Sequence, residues 1–163
     1  MYSNLPLRSK SKGILLDTNL LTALLVGFLG NGEVERFKRT CQFTSKDAAE
    51  LNTLVKSFGW ICTTPHVIAE TSNLLDWLDS GRKNKASRLL AEYIRNAQEV
   101  HVKAAEIIKN PVYSKLGITD AGLVMLAKQE GCTVFTVDLP LYHYASNLRV
   151  EIVNFNHLRD QWI

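Results

Sequence analysis

Two short apolar runs in this chain each stop at an aspartate. Gly13-Ile14-Leu15-Leu16 ends at Asp17, and Thr133-Val134-Phe135-Thr136-Val137 ends at Asp138. Continuous apolar runs of this length predict central strands of a parallel sheet, covered on both faces. Trp60-Ile61-Cys62-Thr63 and the run 150–155 read as two further strands. Between them the apolar residues recur at helical spacing. Helices are predicted near 18–29, 46–58, 83–97 and 139–147, and the charged run Glu33–Thr40, set off by Gly30-Asn31-Gly32, also reads as helical. Thr64-Pro65 opens a helix reaching about Asp79, because threonine caps and proline is preorganised for the first helical position. Thr119 is expected to cap a helix from Asp120 to Glu130, which Gly131 ends. The stretch 100–117 is the least regular, with a short helix near 104–109 and a turn at Asn110-Pro111. A short tail helix closes the chain. Strands alternating with helices imply a parallel α/β sheet with right-handed crossovers, and hence an α/β/α sandwich with an added helical segment near 31–58.

Composition changes this picture little. At 163 residues one domain is the default. No repeat or linker divides the chain, so 13–163 reads as a single domain behind a polar, basic extension, residues 1–12. Three widely spaced cysteines, Cys41, Cys62 and Cys132, form no C-x-x-C pattern, which argues against a zinc site or disulfide framework and fits a reducing cytoplasm. The start has no signal-peptide core. The apolar stretch 14–29 is interrupted by Asp17-Thr18-Asn19, leaving too little to span a bilayer. A net charge of +3 permits a polyanionic partner without requiring one.

The acids carry the chemistry. Ligands of open parallel sheets bind beyond the carboxyl ends of the strands, where Asp17 and Asp138 stand. Glu70 lies in the second turn of the helix that Pro65 begins, and Asn73 and Trp77 share its face. Asp120 starts its own helix. Helices that follow parallel strands start at the rim where those strands end, so all four acids can meet there. Crowded carboxylates repel, and a divalent cation is the simplest compensation. Taken singly, each acid has an ordinary alternative as a cap, a turn residue or a solvated position.

The ordered segments Leu16-Asp17-Thr18-Asn19, Val67-Ile68-Ala69-Glu70-Thr71-Ser72-Asn73, Gly117-Ile118-Thr119-Asp120 and Phe135-Thr136-Val137-Asp138 resemble those of PIN-domain ribonucleases. The likeness spans roughly 13–155. It is greatest to the toxin (VapC-like) subunits of VapBC-type toxin–antitoxin pairs. The resemblance implies a three-layer PIN-like fold and a Mg²⁺- or Mn²⁺-dependent endoribonuclease. It assigns Asp17, Glu70, Asp120 and Asp138 as the catalytic and metal-binding acids. Asn19, Thr119 and Thr136 become polar supporting positions, with Asn73 on the face of Glu70. It also implies an RNA substrate, and an antitoxin partner or a homodimer. Leu139-Pro140-Leu141 follows Asp138 where some relatives carry a further acid, which weakens the case for a second metal ion.

Other residues are less specific. Arg82, Lys83, Lys85 and Arg88 form a basic run in which Arg82, Lys83 and Arg88 are candidate RNA contacts. A solvated surface is the simpler account of them. Trp60, Trp77 and Tyr142 are candidates for base stacking, against core packing for the two tryptophans. Leu24, Leu25 and Phe28 face either a partner or the core. His66 precedes Glu70 by one helical turn and is a candidate to orient it. A housekeeping PIN ribonuclease and a catalytically silent PIN-like binding module are the alternatives. A haloacid-dehalogenase-like phosphatase would want a second aspartate two residues after the first, where Asn19 stands.

Overall fold

The computed structural model describes residues 9–160. Arg8 and most of the predicted basic extension lie outside the described residues, as does the end of the C-terminal tail. A 3-10 turn at Ser9–Ser11 leads into β1 (Gly13–Leu16) and α1 (Thr18–Gly27). Next come α2 (Glu33–Arg36) and α3 (Ser45–Ser57), the latter started by a capping box of Thr44 and Asp47. β2 (Trp60–Thr63) precedes α4 (Pro65–Leu75), which Thr64 caps by accepting from the Val67 amide. The chain continues through α5 (Ser80–Asn96), β3 (Ala97–Glu99), α6 (Ala104–Ile107) and α7 (Tyr113–Glu130). It ends with β4 (Thr133–Thr136), α8 (Leu139–Asn147), β5 (Ile152–Asn154) and α9 (Phe155–Arg159).

The five strands form one sheet in the order β3-β2-β1-β4-β5, and every neighbouring pair is parallel. Helices flank it, so the molecule is a three-layer α/β/α fold. β1 and β4 are buried along their whole length. α1 is buried from Leu20 to Val26, as its all-round apolar sequence requires. The sheet winds outward from β1 to β3, then returns to place β4 on the other side of β1. That reversal is a topological switch point, and a crevice opens there beyond the strand ends.

The 31–58 segment is partly core. Leu51, Leu54 and Phe58 are buried. α3 approaches α1 so closely that a Cβ on Gly27 would stand 2.5 Å from the Ala48 Cβ. The segment is also tied to the C-terminal end: the Arg159 guanidinium donates to Asp47 Oδ1 at 3.1 Å and to the Gln42 carbonyl at 2.9 Å.

Four details depart from the expected elements. The Glu33–Thr40 helix stops at Arg36, because Phe37 turns extended (ψ 119°) and buries its ring. The helix from Pro65 ends at Leu75, and the next begins at Ser80 rather than 83, capped by Asp79. β3 has no counterpart among the expected strands: Ala97-Gln98-Glu99 is a polar edge strand with no apolar alternation. α7 bends at Gly117 (φ 81°, ψ 177°), so helical backbone resumes before Thr119, which lies inside the turn rather than capping it. No described helix is long and apolar enough to cross a membrane.

Candidate active site

Asp17, Glu70, Asp120 and Asp138 line one cleft of about 310 Å³ at the switch point, together with Thr18, Asn19, Asn73 and Leu74. All four predicted acids are brought together, each from a different element. The two strand-end aspartates also act as helix caps. Asp17 Oδ1 accepts from the Leu20 amide at 2.8 Å, and Asp138 Oδ1 accepts from the Leu141 amide at 2.8 Å. Capping and site formation are therefore compatible here, because each carboxylate has a second oxygen.

Hydrogen bonds from threonines hold the acids. Thr136 donates to Asp17 Oδ2 at 2.5 Å, the Val137 amide donates to the same oxygen at 3.2 Å, and the Asp138 amide donates to Thr136 Oγ1 at 2.9 Å. Thr136 thus bridges the two strand-end aspartates. Glu70 is held at both oxygens: Thr18 donates to Oε2 at 3.0 Å and Thr119 to Oε1 at 2.7 Å. Thr119 and Thr136, the two threonines singled out in the sequence, each donate a hydrogen bond to one of the four acids. Thr18 joins them unannounced, although it stands within the Leu16-Asp17-Thr18-Asn19 signature, because nothing in one sequence ties its hydroxyl to a helix about fifty residues away. His66 does not orient Glu70; its Nδ1 is buried without a hydrogen-bond partner among the described residues.

The electrostatics follow from this crowding. Burial pushes the Asp17 carboxyl above the usual carboxylate range, against the hydrogen bonds from Thr136, Leu20 and Val137, and the Asp138 charge adds to the rise. Asp120 is pushed up to about 7, first by burial and then by the negative charges of Asp17, Asp138 and Glu70. No cationic side chain forms an ion pair with Asp120 among the described residues.

The donor set has a definite chemical character. It holds carboxylates and an amide-bearing asparagine pair but no histidine or cysteine, which suits Mg²⁺ or Mn²⁺ rather than Zn²⁺. Among the described residues no three His, Cys, Asp or Glu side chains form a group that could hold a metal ion as they stand. Glu70 and Asp17 point their oxygens at hydroxyl and amide donors instead. Mg²⁺ asks for less than a full protein cage, since one or two carboxylates suffice when water and phosphate complete the octahedron. Hydrogen-bonded carboxylate oxygens also keep lone pairs free. The residues present fit such an ion in chemistry.

The predicted RNA-contact residues fare differently. Arg82 is paired with Glu33 at 2.7 Å and with Asp79, and Lys83 with Asp76 at 2.8 Å. Arg88 is exposed and forms none of the ion pairs seen among the described residues. Trp77 is 71% exposed and Trp60 40% exposed, so neither is the core residue its size suggests. Tyr142 packs edge-on against His143 and His157. Leu24 and Leu25 are buried while Phe28 is exposed.

No protein-family model and no curated protein matches the chain. Among solved structures it is similar to the crystal structure of PAE2754 from Pyrobaculum aerophilum, with a TM-score of 0.60 and 18% identity over 92% of this chain and 94% of that one. At that identity the likeness concerns the fold.

Proposed function

We propose that this protein is a Mg²⁺- or Mn²⁺-dependent endoribonuclease of the PIN-domain kind. The observation that carries the reading is the convergence of Asp17, Glu70, Asp120 and Asp138 on one cleft at the switch point. A structural role for the acids would not concentrate them where burial, and then the charges of the other three acids, drive Asp120 towards neutrality. Asp120 and Asp138 are the acids whose carboxylates are least committed to internal hydrogen bonds, and with Asp17 they would hold the ion. Such an ion, when bound, would offset the charge of a phosphodiester and acidify a water. Thr136 and the Leu20 and Val137 amides fix the Asp17 carboxylate in one orientation. Thr18 and Thr119 do the same for Glu70 and keep it from collapsing on the other acids. Asn19 and Asn73, at the cleft wall, supply uncharged donors that tolerate an anionic phosphate. The VapC-like resemblance extends the proposal to control by an antitoxin partner.

The test is cleavage of a fluorescent single-stranded RNA with Mn²⁺. Asp17→Asn, Asp120→Asn and Asp138→Asn should abolish cleavage, and Glu70→Gln should impair it severely, with native circular dichroism retained. Wild-type activity in a pure Asp17→Asn preparation would sink the reading.

A further inference from the structure

We infer that a basic groove next to the cleft binds single-stranded RNA beyond the cleavage point; this rests on the proposed nuclease reading. The groove, about 420 Å³, lies between residues 36–39 and the turn after α4, and Arg36, Lys38, Arg39, Trp77 and Arg82 line it. It lies about one helical turn beyond the cleft, past the end of α4. Asn73 and Leu74 line the cleft, and Trp77 follows them by four and three residues. The Trp77 amide still donates to the Leu74 carbonyl at 3.2 Å, which carries the helical turn past the last residue of α4. A rise of 1.5 Å per residue sets Trp77 about 6 Å along the axis from Asn73.

The charge is not cancelled internally. Glu33 and Asp79 engage Arg36 and Arg82. Lys38 and Arg39 are exposed and make no salt bridge among the described residues. The Arg39 guanidinium stands over the Trp77 ring at 5.0 Å from its centroid, yet Trp77 remains 71% exposed. The indole therefore stands open to solvent beside two cations that have no carboxylate partner among the described residues. The combination of an aromatic face for a base and cations for the adjoining phosphates is the recognition chemistry of single strands. An acidic protein segment would use the cations but has no need of the open ring, so RNA is the better fit.

The experiment measures fluorescence anisotropy of a labelled oligouridylate about twelve nucleotides long, within the span that such single-strand grooves cover, in EDTA so that cleavage does not intrude. Trp77→Ala should weaken binding on the order of tenfold, as removal of one stacked base does, and Trp77→Phe should restore most of it. The Lys38→Glu/Arg39→Glu pair should weaken binding and lower the log–log salt slope by about 0.7 for each phosphate no longer neutralised. All these positions are exposed, and thermal melts verify the fold. Wild-type affinity and slope in both Trp77→Ala and the charge-reversed variant would overturn the inference. So would loss of polyglutamate binding in those variants with RNA binding intact, which would assign the groove to an acidic partner. The two readings fail separately. A wild type that binds through the groove but leaves RNA uncut with Mn²⁺ removes the nuclease reading. A wild type that cuts, with groove variants binding normally, removes the groove alone.

Discussion

The Thr119 hydroxyl donates a 2.7 Å hydrogen bond to Glu70 Oε1, joining the first turn after the Gly117 bend to the middle of α4. Thr119 is buried while Glu70 is exposed, so the bond stands at the boundary between the core and the open cleft. Thr119→Val keeps the shape and leaves one Glu70 oxygen short of a donor. Water reaches the exposed Glu70 carboxylate, so the cost in stability should be about 0.5–1.5 kcal/mol, the net value of a hydrogen bond and not the penalty of a buried unpaired group. On the proposed function, Mn²⁺ affinity or cleavage should also fall about 10–100-fold, the usual penalty for losing a group that orients a ligand. Titration calorimetry and a thermal melt measure both. Unchanged metal affinity in a folded Thr119→Val protein would reduce Thr119 to a packing residue.

Asp120 predicts a pH dependence. Its carboxyl is raised from 3.8 to about 7, so the folded protein holds a proton there that the unfolded chain has already released. Stability falls with pH wherever the folded state binds more protons. The contribution of Asp120 is therefore an unfavourable one that grows from about pH 4 to about pH 7 and is complete above that. In EDTA, the melting temperature should drop across this window. Asp120→Asn should flatten the drop and be more stable than the wild type above that window, at about pH 8, on the order of 2 kcal/mol once solvent screening is allowed for. A destabilised Asp120→Asn protein under those conditions would contradict the cause assigned to the shift.

Metal should act on the same balance with opposite sign. An ion bound only by the folded protein stabilises it by about 2.7 kcal/mol at a hundredfold excess over its dissociation constant. Mn²⁺ should therefore raise the melting temperature of the wild type at mildly alkaline pH. The rise should be much smaller in Asp138→Asn, whose cap on α8 survives through the remaining amide oxygen. Equal shifts in the two proteins would place the ion elsewhere.

The legible parts of the site are those in which short-range pattern and chemistry coincide. Asp17 and Asp138 follow strands whose burial is written in four consecutive residues each, and Glu70 and Asn73 sit at helical spacing behind an obvious proline start. The α/β/α class follows from the same alternation. β3 is not legible, since an edge strand of Ala-Gln-Glu buries almost nothing and is held mainly by its pairing with β2. The groove is only partly legible. Arg36, Lys38 and Arg39 fall in a charged run that reads as helical to Thr40 but whose helix ends at Arg36, and the sequence leaves Trp77 open between base stacking and core packing, of which its exposure excludes the core. Which cations are already paired, as Arg82 and Lys83 are, depends on neighbours up to 49 residues apart and has no local signal.

Gly117 offers the sharpest separation of fold from site. Its φ of 81° with ψ of 177° is a backbone state essentially closed to residues with a Cβ. Nothing lies within 4 Å of where a Cβ would stand, so the obstacle is the backbone itself and not crowding. Gly117→Ala must either bear about 1–3 kcal/mol of strain or straighten the bend. Straightening would rotate Thr119 away from Glu70 and Asp120 out of the cleft. Gly131 is the control, because it ends α7 at φ 65° and ψ 29°, a left-handed state that alanine tolerates at a cost of about 1–2 kcal/mol. Both variants should melt at lower temperature than the wild type. Only Gly117→Ala should also lose RNA cleavage and Mn²⁺ stabilisation. Equal activity in the two variants would mean that the bend at Gly117 is a feature of the fold alone.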